Sequence, residues 1–290
     1  MDSLRRRRQT AGWVVTAANV IAAANWPRLG LPRGVSDAGV ALLVPLTLLG
    51  IWAASACFAW LPPQILPAPS EVWAAFLDMA QNGDLSRHVG ISLLRVVEGF
   101  AAGSLAGLLL GLAMGLSPTV EDYVKPLFTG FAQVPTLGWI PFLMLLVGIG
   151  EPLKILVIAK AAFVPVTLNT LAGVRGVPSM YAEVGAIFRF TRWQVLRKIV
   201  LPASVPPIFA GLRYGLTHAW LALVAVELLA SSEGLGYLLV WGRQMFWLDT
   251  VMVAMVLIGL VGFVLDRITA ELEKRLQHWR IADGGEGQRA

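Results

Sequence analysis

The chain is poor in the residues that most enzymes and extracellular modules are built on. A single cysteine, Cys57, in 290 residues leaves no disulfide framework and no thiol cluster for a metal. Its place inside an apolar run marks it as a small core residue. The three histidines, His88, His218 and His278, are far apart, and no H-E-x-x-H pairs two of them on a helix face, so an intramembrane zinc protease has no ligand set. The absence of G-x-x-x-x-G-K-[ST] means that this chain has no loop to cradle ATP phosphates. Gly103-Ser104-Leu105-Ala106-Gly107 does not have the spacing of a nucleophile elbow. No catalytic residue and no metal site is assigned.

Charge is scarce too. Charged residues make up 14% of the chain, against about 25% in soluble domains, while 57% of residues are hydrophobic and the mean hydropathy is +0.69. These values describe an integral membrane protein in contact with a lipid bilayer. The net charge of +5 sits in short basic blocks between apolar runs, as in cytoplasmic loops, and this pattern argues against nucleic-acid binding.

Six apolar runs are long enough to be spanning helices: 40–60, 91–116, 125–149, 153–173, 208–230 and 252–270. Residues 1–39 precede them. They contain Arg5 to Arg8 and an apolar patch at 11–24 that is too short to cross a hydrocarbon core of about 30 Å. This segment reads as a cytoplasmic or interfacial arm or as a signal sequence, and the lack of a small-residue cleavage site favours the arm. Four prolines in 61–69 exclude a continuous helix there. In the amphipathic piece 70–80, Val72, Trp73, Phe76 and Leu77 oppose Glu71 and Asp78, as expected of a helix lying along the membrane surface. A charged tail occupies 271–290.

Within the second run, Gly99, Gly103, Gly107, Gly111 and Gly115 recur every four residues, so one face of that helix admits a close neighbour. Arg95 and Glu98 stand three apart and are placed to neutralise each other. Pro126, Pro135 and Pro141 predict a kinked third span, a form tolerated where neighbours or a water path satisfy the freed carbonyls. Lys160, Asn169 and Glu227 are polar groups inside spans and are candidates for a solute pathway. Lys160 either snorkels to the outer interface or offers a cation to an anionic solute, and Glu227 either pairs within the protein or binds solute.

The segment 177–202 differs from everything around it. Ser179 starts a short helix carrying Met180, Val184, Ile187 and Phe188 on one stripe. Thr191 and Gln194 have capping-box spacing for a second helix, which Pro202 is expected to stop. Arg192, Arg197 and Lys198 keep the segment out of lipid, and its narrow apolar face calls for a cover from outside the chain.

Glu183, Ile199, Leu201 and Pro202, at the spacing E-x15-I-x-L-P, resemble the cytoplasmic loop of permease subunits of bacterial ATP-binding cassette importers. The resemblance extends from residues 61–73 to the end of the last apolar run, and residues 168–175 and Gly234-Leu235-Gly236-Tyr237-Leu238-Leu239 are similar to the sulfonate, taurine and nitrate branch. The family's Glu-Ala-Ala reads Glu183-Val184-Gly185 here, and Arg189 stands where its turn glycine would be.

The resemblance implies an all-α polytopic membrane protein of type I importer (MetI-like) architecture, working as a homodimer. It further implies two ATPase subunits that hold ATP and magnesium, an external binding protein that delivers the solute, and no cofactor in this chain. The ATPase would dock on Glu183, Gly185, Ile187, Phe188, Arg189, Arg192 and Trp193. The rival readings are a secondary transporter and a structural or signalling membrane subunit; neither repeat symmetry nor mid-membrane coupling carboxylates favour the former.

Basic residues concentrate in the arm and in the 174–207 loop, which puts both termini and that loop in the cytoplasm of a bacterial inner membrane. The loop around Glu121, Asp122 and Lys125 falls on the same side despite little positive charge. For Arg189 two readings stand: a left-handed turn strained by a side chain, or a turn rebuilt with ordinary dihedrals that frees the arginine for an acidic partner. Phe190 and Thr191 favour the second.

Overall fold

A computed structural model describes residues 37–62 and 64–276. The expected arm, including the patch at 11–24, and the end of the tail lie outside the described residues. All regular structure among the described residues is helical. The chain divides into two units at Phe58. In the first, α1 (Asp37–Cys57) is uncharged after Asp37 and runs through Pro45.

The second unit holds α2 (Pro69–Gln81), α3 (Asp84–Leu116), α4 (Pro118–Gln133), a 3-10 turn (Thr136–Trp139) and α5 (Ile140–Val147). It continues with α6 (Glu151–Arg175), α7 (Ser179–Ile187), α8 (Arg192–Val195), a π-helical turn (Leu196–Val200), α9 (Leu201–Ala230), α10 (Leu235–Gln244) and α11 (Leu248–Leu276). Four stretches are long and apolar enough to span a membrane, those of α3, α6, α9 and α11. The α4–α5 pair makes a fifth, bent by 91°, and Leu42–Cys57 of α1 is a shorter apolar helix.

α6 is the central helix, with Leu153, Val157, Ile158, Ala162 and Val166 fully buried. On one side it meets the glycine face of α3. A Cβ at Gly99 would touch Ile158, one at Gly107 Val166, one at Gly111 Thr170 and one at Gly115 Val174. At Gly103 a Cβ would lie 2.1 Å from the Ala159 carbonyl oxygen, so backbone packs on backbone. Partner numbers rise together, so α3 and α6 run in the same direction. On the other side, Gly211 of α9 faces Asn169 and Pro165, and Gly215 faces Val166 and Ala162, an antiparallel order. Ile140 of α5 closes the core with Leu153, Val157, Ala222 and Val226.

Several expected boundaries shift. The third span begins at Pro118, because Ser117 accepts the Val120 N–H as a cap and proline suits the first turn. Glu121 therefore lies on a helix, where Lys125 (2.7 Å) and Arg175 neutralise it, so the positive charge missing from that loop comes from the next one. Of its three prolines only Pro135 breaks the span: Pro126 lies within α4, and Pro141 is in the first turn of α5. In α2 the packed residues are Val72 and Met79, while Trp73 and Leu77 are exposed, a face turned one position from the expected one.

The Gly107→Leu substitution places a branched side chain where even a Cβ would be 2.9 Å from the Phe163 carbonyl, and is expected to abolish the folded protein. Leu109→Ile, on the exposed side of the same helix, is expected to leave it intact. Recovery of monodisperse protein in detergent distinguishes the two.

Candidate functional site

The 177–202 segment folds as two helices around a tight turn. Thr191 and Gln194 form the expected capping box: the Gln194 N–H donates to Thr191 Oγ1 (3.3 Å) and the Thr191 N–H to Gln194 Oε1 (2.8 Å). The second helix does not end at Pro202, however. It passes through the π turn into α9, the Leu201 N–H reaching back five residues to the Leu196 carbonyl. The widened turn immediately before Pro202 accommodates a ring that would otherwise crowd the carbonyl four residues back. The fifth span is thus one rod with the loop's second helix.

The turn between the two helices also departs from expectation. Arg189 has φ +51°, in the left-handed region. Its N–H donates to the Ala186 carbonyl (3.0 Å) and that of Phe190 to the Gly185 carbonyl (2.9 Å), a Schellman closure of α7 with Arg189 at the position that favours glycine. The reading with ordinary dihedrals is therefore corrected, because two orphan carbonyls of α7 are satisfied only if residue 189 turns left-handed.

Gly185 faces inward, where a Cβ would meet Ile199 at 3.2 Å and Val195 at 3.3 Å. Glu183, Met180, Ile187 (78% exposed), Phe188 (67%), Arg192 and Trp193 face outward. The side chains of Ser179 and Val184, assigned to the cap and the stripe, lie outside the described residues. Phe188 stacks near Phe190, which carries Lys198 Nζ 5.0 Å above its ring.

The intramembrane candidates do not converge. Asn169 donates through Nδ2 to the Pro165 carbonyl on its own helix (2.8 Å). Lys160 donates to the Val134 carbonyl (2.6 Å) and to Thr136 Oγ1 (3.3 Å), at the break between α4 and α5.

Glu227, 1% exposed, belongs to an ion cluster at the end of the bundle opposite the loop, buried at Glu227 and Arg95 and open to solvent at Glu151. Arg95, 3% exposed, donates to Glu227 Oε1 (2.7 Å), to both Glu151 oxygens (2.6 and 2.7 Å) and to the Glu233 carbonyl (2.8 Å). Lys154 joins Glu151 at 2.8 Å, so two cations face two carboxylates. Arg95 thus pairs across helices and not with Glu98, which is exposed on the same helix.

The cluster holds the α9–α10 connection. Ser92 donates to Glu227 and accepts the Leu235 N–H (2.9 Å), the Gly236 N–H donates to Glu227 Oε2 (2.9 Å), and the Gly234 N–H donates to His88 Nδ1 (2.9 Å). Gly234 has φ +112° and a Cβ there would sit 2.2 Å from Glu227 Oε1, so Gly234-Leu235-Gly236 is the imprint of a buried carboxylate. Beside it lies a cavity of about 530 Å³ with Arg87, His88, Tyr237, Trp241, Trp247 and Asp249 in its wall. Sequence periodicity missed Ser92, Glu151 and Lys154. The paired glycines at 234 and 236 are the signal that could have revealed the cluster.

Comparison with known proteins bears on the whole chain. Residues 103–278 match the model of the binding-protein-dependent transport system inner membrane component family. The taurine transport system permease protein TauC of Escherichia coli K12 is 35% identical over 237 residues, 80% of this chain and 86% of the relative. The nitrate import permease protein NrtB of a Synechocystis strain is 35% identical over 217 residues, 72% of this chain and 79% of the relative. Among solved structures, an inward-facing form of the MetNI methionine ABC transporter matches with a TM-score of 0.58 at 18% identity, covering 68% of this chain and 98% of the other. An amino acid ABC transporter chain matches at 0.51 and 16% identity, covering 70% of this chain and 98% of the other. These structures share the MetI-type fold.

Two substitutions test the local geometry. Arg189→Gly removes a left-handed side chain and is expected to raise stability by about 1 kcal/mol, read as a higher melting temperature in detergent. Glu227→Ala takes one of the two carboxylates from Arg95 and leaves the buried Gly236 N–H without its acceptor, and is expected to remove roughly 3 kcal/mol, so that less folded protein survives solubilisation.

Proposed function

This chain belongs to the binding-protein-dependent transport system inner membrane component family, and on that premise we propose that it is an importer's membrane subunit carrying a small oxyanion, a sulfonate such as taurine or a nitrate-like ion. The energy is supplied by a separate ATPase that holds ATP and magnesium. The permease works as a homodimer, an external binding protein delivers solute at the end bearing the Arg95 cluster, and the ATPase engages the opposite end.

The observation that carries the reading is the exposed apolar face of α7. Met180, Ile187 and Phe188 stand open beside Glu183 in a loop whose arginines and lysine keep it in water, so lipid does not cover it. An amphipathic helix presenting a few large anchors suits a groove on a partner protein. A groove of about 540 Å³ behind it, with Tyr181, Pro202, Pro206 and Pro207 in its wall, leaves room for the loop to shift.

Mechanically, α7 follows α6 after Gly176-Val177-Pro178, and α8 continues into α9. Displacing the loop therefore moves two helices of the core together. ATP-driven closure of the paired ATPases draws the two loops together and switches access between the faces of the membrane. The excess of arginine and lysine in the loop supports a cytoplasmic location for this end and for the chain termini.

Phe188→Ala and Glu183→Arg are expected to leave the permease in the membrane while reducing ATP-dependent uptake of taurine or nitrate at least tenfold, a loss of about 1.4 kcal/mol or more at the contact. Co-purification of the cognate ATPase with both variants, at wild-type yield and with wild-type ATPase activity, would count against the docking role.

A further inference from the structure

Lys160 stands apart from the other cations of the core. Arg95, Lys154, Arg175 and Arg213 each have a carboxylate within salt-bridge distance, whereas Lys160 forms no ion pair among the described residues. Its ammonium rests on the Val134 carbonyl and the Thr136 hydroxyl, 5.5 Å from the Phe131 ring centre. Val134 closes α4 with extended backbone (ψ 118°), and Thr136 opens the next turn after a 91° change of direction. Its counter-charge is therefore the negative end of a broken helix, a partial charge of about half a unit.

The surroundings are rich in donors and poor in acceptors. The Lys160 ammonium and the Trp139 indole N–H can only donate, the Thr136 hydroxyl accepts from Lys160 and keeps its own proton to donate, and the Trp139 N–H is buried without a partner although its ring packs 4.9 Å from Phe131. The Val134 carbonyl and, at longer range, the Thr136 hydroxyl oxygen are the acceptors that Lys160 uses at the break. A monoanion with several oxygens would bring a full charge and more acceptors than the helix end provides.

We propose that Lys160 is an anion-responsive latch on the broken span. Without solute it holds the α4–α5 bend through the Val134 carbonyl; a sulfonate or nitrate-like ion takes the ammonium from that carbonyl, and the bend is released. The idea rests on the anion-permease reading and adds to it the residue that senses the solute and the element that responds. Lys160 acts on transport by positioning the bend as well as by its charge.

The test uses the permease reconstituted with its ATPase and binding protein in vesicles. Nitroxide labels are placed at Leu127 on α4 and Leu145 on α5, both largely exposed, in a Cys57→Ser background with unlabelled permease in excess. Ethanesulfonate and nitrate serve as probes, with sucrose as the uncharged control. Either anion is expected to displace the label-to-label distance distribution, and sucrose is not. Lys160→Gln is expected to show the displaced distribution without anion, to ignore its addition, and to lose uptake by roughly 10- to 100-fold, the worth of one hydrogen bond to a charged group. Lys160→Arg is expected to keep the response. Uptake of either anion by wild type with an unmoved distribution would discard the latch and leave the permease reading standing. Failure of both anions to be transported or to move the labels would remove the solute class together with the latch.

Discussion

The close approach of α3 and α6 is the constraint on which the rest of the bundle depends. Two helices that run in the same direction and touch backbone to backbone cannot be joined by a short turn, so the intervening chain must cross back, and α4 with α5 supplies that return. The contact rests on packing and not on a hydrophobic driving force, because lipid is as apolar as the side chains it would replace. Small residues at five successive turns provide it. Thr170 lies at this interface, against Gly111, with its hydroxyl buried and without a partner, a cost that the contact tolerates for its closeness.

With the backbones fixed, the charges within the core are handled in distinct ways. Arg95 is fully enclosed and needs a full set of carboxylates and carbonyls, which two helices and a connection supply. Arg213, half-exposed on α9, is met by a bidentate Asp266 at 2.9 and 3.0 Å on α11, which ties the last span to the core. Lys160 has a carbonyl and a hydroxyl at the broken end of a helix and no carboxylate among the described residues. These form an order of decreasing compensation, from a balanced cluster through an ion pair to a dipole. Electrostatic holding weakens in the same order, so the α4–α5 break is the least firmly held of the three.

Much of this was legible in the sequence where the signal is local. The glycine ladder, the Thr191–Gln194 box and the kink of the third span each depend on residues close in sequence, and the structure reproduces all three, the kink at only one of the three prolines. What escaped depends on distant partners or on backbone alternatives of nearly equal energy. Arg95 has an acidic residue three positions away, and proximity in sequence suggested Glu98; the carboxylates it uses are 56 and 132 residues away. Pro202 would end a strictly α-helical run, but a single π turn absorbs it. Arg189 could have been turned either way, and the choice was made by the orphan carbonyls of α7, which no propensity at residue 189 encodes.

The two deviations from regular helix sit where a transporter needs compliance. The core of α3, α6 and the upper part of α9 is locked by backbone contact and by the Arg95 cluster, so it transmits force with little deformation. The π turn at Leu196–Val200 lies between that core and the exposed face of α7, and the bend at Val134–Thr136 lies between the halves of the return span. A π turn interrupts the regular i to i−4 ladder, and the last carbonyls of a helix have no partner within it, so both yield before the α3–α6 contact does. A load applied at the loop reaches the core through the first of these points. Because α5 packs on α6 and α9 through Ile140, a movement of that pair reaches the second. The same glycine contact that demands a return span therefore also makes its break the place where motion of the core is taken up.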